Sequence, residues 1–419
     1  MQKLLIVGGN RLEGTVRASG SKNATLPVLA ACILNAGVST IHEAPRLRDI
    51  SVMKFLLHYL GAKVTNEGST IIVDSSNIEP LEISDGIMRR MRASNLVLGA
   101  MLGRFGRVKI SYPGGCQIGS RPMDLHLKGL QAMGAVIREK FGYIMAEAKK
   151  LTGADIHLDL PSVGATENLM MAAVLAEGVT TIRNAAKEPE IVDLQNYLNA
   201  IGGRVKGAGT DNIKIEGVAH SQMKPAVHSV IPDRIEAGTH IVATAITGGE
   251  VTVTNVIPEH IEPLLAKMRE AGVGITVGDD FVRVRGNGRV KSIDIKTMPY
   301  PGFPTDMQPQ MMALLSLAEG TSVITETVFE NRFKHVGELR RMGADIKVEG
   351  QSAIIKGVDK LSGACIEASD LRAGASLVLA SLAAENGTVI ENINHIDRGY
   401  ERLEQKYNFL GARIVRVHN

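Results

Sequence analysis

The sequence predicts an α/β fold in which one strand–helix–strand unit is repeated across two domains. Three observations carry that expectation. At 419 residues the chain is too long for one ordinary hydrophobic core. It contains six self-similar runs at a period of about 70 residues, longer than the usual solenoid repeats. Within each run, alternating Val, Ile and Thr give way to apolar residues at helical spacing, and alternation then returns.

The runs begin at Gly37, Gly106, Gly178, Gly249, Gly320 and Gly387. The first reads GVSTIHEAPRLRDISVMKFLLHYLGAKV. Its opening residues predict a strand, followed by a polar loop and an amphipathic helix. Met53, Leu56, Leu57 and Leu60 line one face of that helix, with Asp49 as the expected N-cap. Gly61 ends the helix and AKV opens the next strand. A further strand follows, as in STIIVD, DNIKIEG and SAIIKG.

A second kind of helix separates the runs. NATLPVLAACIL, RASNLVLGAML, GATENLMMAAVLAEG, EAGTHIVATAITGG, MQPQMMALLSLAEG and AGASLVLASLAAENG are apolar nearly all round, which predicts burial. Their first turns nevertheless carry polar residues: Lys22 with Asn23, Arg92, Ser162, Arg234 with Glu236, Asp306, and Asp370 with Arg372. Helix N-termini favour anions, and Lys or Arg is unfavourable there unless an anion compensates. If these helices run parallel within each domain, their starts converge on one anionic site. The alternative is a set of solvated caps.

Composition narrows the partners. The chain is 44% hydrophobic and 22% charged, an ordinary globular profile. A net charge of +3 is too small to imply nucleic acid or a membrane surface, but it leaves small anions as partners. Cys32, Cys116 and Cys365 are too few and too scattered for a disulfide framework or a zinc site. The opening MQKLLIVGGNRLEG has too short an apolar run for a signal peptide, and no other run reaches bilayer-spanning length. A cytoplasmic location is expected, and the oligomeric state is not legible.

One loop stands apart. Ser111 to Pro122, SYPGGCQIGSRP, places Cys116 after two glycines and near Arg121. A thiol has a reference pKa of about 8.5, and neighbouring cations make it a credible general acid near neutral pH. A glycine loop can close over a substrate and exclude water. Cys32, in VLAACIL, and Cys365 read instead as small buried hydrophobes.

Taken together, GSKNATLP (20–27), YPGGCQIGSRPMDLH (112–126), SVGATEN (162–168), EPEIVDL (188–194), PDRIEAGT (232–239), FPTDMQ (303–308), ETVFENRF (326–333), SDLRAGASLVLA (369–380) and HIDRGYER (395–402) resemble the enolpyruvyl transferases. The likeness runs in order over essentially the whole chain. It implies two inside-out α/β domains of three repeats each, with buried parallel helices and outer sheets. Residues 1–21 and 230–419 would form a discontinuous first domain, and residues 22–229 a second carrying the Cys116 loop. The implied reaction moves the enolpyruvyl group of phosphoenolpyruvate to the 3'-hydroxyl of UDP-N-acetylglucosamine and releases phosphate. No metal or organic cofactor is implied.

The resemblance also implies residue roles. Cys116 would donate the proton and form an adduct with phosphoenolpyruvate, and a fosfomycin-type epoxide would alkylate it. Lys22 and Asn23 would touch phosphoenolpyruvate, and Arg398 would meet its carboxylate. Arg121 would clamp a phosphate or carboxylate, with Arg92, Arg332 and Arg372 as further anion-binding or catalytic cations. Asp306 would bind the acceptor hydroxyl or act as its base, and Asp370 would share the proton work. Arg121, Pro122, Met123, Asp124 and Leu125 resemble the uridine-binding segment. Ser162, Val163 and Gly164 would contact the diphosphate, and the Val328 backbone the sugar nucleotide. One departure stands out: Leu160 and Pro161 precede SVGAT where some members carry a lysine. Two other readings remain, a shikimate 3-phosphate enolpyruvyl transferase and a non-catalytic repeat scaffold. The glycine-glycine-cysteine loop counts against the first, and the full set of chemical groups against the second.

Overall fold

Each predicted run folds into its own small sheet, and each all-apolar segment into a buried helix. A computed structural model describes residues 2–88, 91–112, 118–119 and 123–418, without the side chain of Arg92. The chain divides into two compact units. One comprises Met1–Ser19, Gln117–Ser120 and Pro232–Asn419, the other Gly20–Cys116 and Arg121–Ile231. Each unit has its own hydrophobic cluster.

The buried helices are α1 (Lys22–Ala31), α2 (Val97–Phe105) and α3 (Val163–Ala173) in one unit. In the other they are α4 (Arg234–Ile246), α5 (Gln308–Leu315) and α6 (Leu371–Ala383). Burial extends round the whole circumference: in α6 every residue from Leu371 to Leu382 is buried. Close backbone approach makes this possible. A Cβ on Gly99 of α2 would lie 2.0 Å from the Asn168 carbonyl oxygen of α3, so only glycine fits there.

The sheets share one plan. Val179–Arg183 lies between antiparallel Asn212–Glu216 and parallel Asp155–His157, with Arg204–Lys206 at the edge. The parallel strand precedes the buried helix, here α3, giving a β-α-β crossover. Ile295–Lys296 with α5 and Cys365–Glu367 with α6 repeat the pattern, and for α2 a single bridge from Ile83 to Ile110 replaces the strand. Two copies exchange partners. Glu13–Arg17, which precedes α1, pairs with Glu250–Thr254, the strand after α4. Val227–Ser229, which precedes α4, pairs with Val38–His42, the strand after α1. Each of these strands therefore stays in the unit the chain is leaving, and the next helix begins the other unit. The first strand, Gln2–Val7, completes the last sheet between Gly387–Glu391 and Arg413–His418.

Three local expectations need correction. Met53, Leu56, Leu57 and Leu60 are buried, and Gly61 ends their helix at φ +104°. However, the helix Arg48–Tyr59 starts after Leu47, so Asp49 is its second residue and not its N-cap. Its side chain turns inward and lies 3.6 Å from Lys22 Nζ. Cys365 is exposed, because strand Cys365–Glu367 alternates and only Ile366 faces the core. Arg92 and Asp306 lie one 3-10 turn ahead of their helices, in Arg92–Leu96 and Thr305–Met307. Among the described residues no helix is long and apolar enough to cross a membrane.

Candidate active site

In the unit of α4, α5 and α6, three sequence-distant residues meet. Arg372, in the first turn of α6, sends Nε (3.1 Å) and Nη2 (3.0 Å) to Asp306 Oδ2. Arg332 sends Nη2 to Asp306 Oδ1 at 2.9 Å. The guanidinium side chains are only 2–3% exposed, whereas Asp306 is 27% exposed, so the carboxylate is the face presented outward. Asp370 caps α6, its Oδ1 accepting from Arg372 N and Ala373 N at 3.0 Å.

Asp306 does not fill all the donors of the two guanidiniums. Arg332 Nε and Nη1 and Arg372 Nη1 are buried without a hydrogen-bond partner among the described residues. An unmet buried donor costs about 1–3 kcal/mol, more when charged. Guanidinium forks match carboxylates and phosphates, so an anion would relieve that cost. Burial would lower the Arg372 guanidinium pKa, but Tyr400, Asp306 and Asp233 raise it above the ordinary value. His335, buried in the same unit, is lowered to about 4 by burial, with Asp370 opposing and Arg332 adding to the fall. It is neutral at pH 7.

Arg398 closes the 3-10 segment Ile393–Arg398. Its neighbour Asp397 is gripped by both terminal nitrogens of Arg416 (2.9 and 2.7 Å), which also bonds Glu404. That clamp fixes the turn presenting Arg398. Val328 lies in the loop after strand Thr321–Thr325, with its amide on Glu326 at 2.9 Å.

In the unit of α1, α2 and α3, Ser21 caps α1 by accepting from Ala24 N at 3.2 Å, and Lys22 and Asn23 open the helix. Ser162 caps α3 by accepting from Ala165 N at 3.3 Å, placing Val163 and Gly164 in its first turn. Met123 immediately precedes the outer helix Asp124–Ala132, where Asp124 is exposed and Leu125 half-buried. Asn168 joins the two segments. Its Nδ2 donates to His126 Nδ1 (3.0 Å) and Gly164 O (3.3 Å), and its Oδ1 accepts from Gly99 N of α2 (2.7 Å).

The structure thus gathers Asp306, Arg332, Arg372 and Asp370 in one place, and Met123–Leu125 with Ser162–Gly164 in another. Cys116, Arg121, Pro122 and the Arg92 side chain lie outside the described residues. Ile118 accepts from Asn331 N at 3.1 Å, beside Arg332 in sequence. The cations at the helix starts find their countercharges inside the protein: Asp49 for Lys22 and Asp306 for Arg372. Residue-by-residue reading missed Asn168, His126, Glu326, His335 and the Lys22–Asp49 pair. Asn168 and Glu326 were visible only as polar residues inside quoted motifs.

A duplicated three-repeat α/β unit with guanidiniums grouped on a carboxylate points to chemistry on anions. Residues 6–407 match the family described as EPSP synthase (3-phosphoshikimate 1-carboxyvinyltransferase), and the chain belongs to this family of enolpyruvyl transferases. Within it, the chain is 57% identical over 418 residues to UDP-N-acetylglucosamine 1-carboxyvinyltransferase 1 of Carboxydothermus hydrogenoformans, covering 100% of this chain and 99% of that one. It is 54% identical to UDP-N-acetylglucosamine 1-carboxyvinyltransferase of Geobacter metallireducens, with both chains covered in full. The enolpyruvyl transferase NikO from Streptomyces tendae superposes with a TM-score of 0.90 at 27% identity, over 99% of each chain. The protein is a transferase with the inside-out α/β fold its sequence predicts.

Proposed function

We infer that the protein transfers the enolpyruvyl group of phosphoenolpyruvate to the 3'-hydroxyl of UDP-N-acetylglucosamine, releasing phosphate, as the first committed step of peptidoglycan synthesis. The observation that carries this is identity of more than half the residues, over the whole chain, to proteins named for that transfer. A cytoplasmic location follows from that reaction's soluble substrates.

The chemistry divides into addition and elimination. The acceptor oxygen bonds to C2 of phosphoenolpyruvate while C3 gains a proton. Loss of phosphate from C2 and of a proton from C3 then restores the double bond. Cys116 is assigned the proton to C3, and Asp306 the acceptor hydroxyl, as base or as orienting group. The exposure of Asp306 beside two buried cations supports that role, since its carboxylate is within reach of an incoming hydroxyl and can accept its hydrogen bond. Arg332 and Arg372 have donors to spare for an anion. Lys22, Asn23, Arg92, Arg121 and Arg398 are assigned the remaining contacts to phosphoenolpyruvate and the nucleotide phosphates. Met123–Leu125 and Ser162–Gly164, joined through Asn168, are assigned the nucleotide, and Asp370 a share of the proton work. The functional domains are taken as residues 1–21 with 230–419, and 22–229.

The family description favours a second acceptor, shikimate 3-phosphate. Incubation with phosphoenolpyruvate and each acceptor separately, with phosphate and product mass measured, decides between them. Phosphate release with UDP-N-acetylglucosamine, and none with shikimate 3-phosphate, is expected. The reverse overturns the assignment. Cys116→Ser is expected to lower kcat by about 10²–10⁴-fold, the usual range for losing a general acid. Full activity in that variant removes the thiol from the mechanism.

A further inference from the structure

We propose that Glu326 is a positioning residue for the acceptor, because its one carboxylate fixes both the turn that carries Asp306 and the backbone at Val328. The proposal rests on the reading of Asp306 and Val328 as acceptor-facing groups. Glu326 is 1% exposed, and among the described residues no cation is one of its hydrogen-bond partners. Its Oε1 accepts from Thr297 Oγ1 (2.9 Å), Val328 N (2.9 Å) and Phe329 N (3.2 Å), and its Oε2 from Thr305 Oγ1 (2.9 Å).

Each partner leads to the site. Thr305 immediately precedes Asp306. The Phe329 ring lies 5.4 Å from the Arg332 guanidinium, the other half of the Asp306 pair. Thr297 anchors the far side, its own Oγ1 accepting from Thr327 N at 2.9 Å. Glu326 itself is held in place by its amide on Gln351 O at 2.8 Å. A buried carboxylate is expensive unless hydrogen-bonded, and stability alone is served as well by an apolar residue. Four donors converging from the Asp306 turn, the Val328 loop and Thr297 are what positioning requires.

The test compares E326A, E326Q and T305V with wild type by steady-state kinetics and thermal melting. Misplacing a binding group by about 1 Å costs roughly 10²-fold, so E326A is expected to raise KM for UDP-N-acetylglucosamine by about 10–100-fold. KM for phosphoenolpyruvate should change much less, because Glu326 bonds the Asp306 turn and the Val328 loop directly and reaches Arg332 only through the Phe329 ring. E326Q keeps Oε1 for three donors, and its amide donates to the Thr305 hydroxyl, which can reverse its own role. It should restore acceptor KM to within about threefold of wild type. T305V removes a single donor and should raise acceptor KM about threefold while leaving the fold intact. If E326A does not fold, the T305V and E326Q pair still decides. Equal changes in both KM values, or an unchanged acceptor KM in E326A and T305V, would refute the positioning role. Absence of any wild-type turnover with UDP-N-acetylglucosamine would instead refute the functional assignment.

Discussion

In the unit of α4, α5 and α6, a carboxylate is gripped by two buried guanidiniums with donors left over. In the unit of α1, α2 and α3, the Lys22–Asp49 pair stands beside a network built on a neutral amide and an imidazole. Both units come from the same repeat, so the difference lies in which side chains it carries. The first unit gathers three charged groups at one point. The second pairs Lys22 with Asp49 and adds a neutral tie: Asn168 joins α2, α3 and the outer helix Asp124–Ala132 through Gly99, Gly164 and His126. Charge gathered this way should fail in chemistry, and the neutral tie should fail in stability and nucleotide affinity.

The sharpest break is Asp306→Asn. The amide keeps the volume but removes the one carboxylate that both Arg332 and Arg372 grip, and it cannot take a proton. A fall in kcat of about 10²–10⁴-fold is expected from rapid-mix phosphate-release kinetics. On the other side, Asn168→Leu strands the Gly99 amide and removes the Asn168 bond to His126. It should cost about 3 kcal/mol in urea unfolding and raise KM for UDP-N-acetylglucosamine more than it lowers kcat. Equal kcat losses for the two variants would erase the distinction between the units.

Acid sharpens the comparison further. His335 has a folded-state pKa of about 4, below its unfolded value of about 6.5, so the unfolded chain binds a proton first as pH falls. Stability should therefore drop from about pH 6.5 downward, by roughly 2 kcal/mol at pH 5 from this group. His335→Gln should flatten that slope in melts across the range, and an unchanged slope would place the proton elsewhere. The smallest effect concerns Cys32. Burial pushes its thiol up to about 12 despite the Tyr197 hydroxyl at 3.1 Å. It should resist thiol reagents at pH 8 that label the exposed Cys365, and Cys32→Ser should leave turnover unchanged.

The repeat was legible because period-2 and helical apolar spacing are local properties, and the six runs recur in order. The exchange of Glu13–Arg17 and Val227–Ser229 between copies was not, since parallel pairing joins strands more than 180 residues apart through no local signal. The charged helix starts were visible, but their countercharges were not. Asp49 resembled a cap because it sits near a helix start, and only the fold turns it toward Lys22. Cys365 resembled a core residue because a three-residue strand gives too little alternation to choose a face. Glu326 and Asn168 act through loop amides and glycine backbones, and the sequence does not show which of these lie nearby.

The most direct measurement is a crystal structure with phosphoenolpyruvate or its stable analogue and UDP-N-acetylglucosamine bound. The acceptor 3'-oxygen should lie about 2.6–3.2 Å from an Asp306 oxygen, with an anionic oxygen on the unpaired nitrogens of Arg332 or Arg372. An acceptor bound with its 3'-hydroxyl beyond the reach of Asp306, and both guanidiniums still without an anion, would contradict the account.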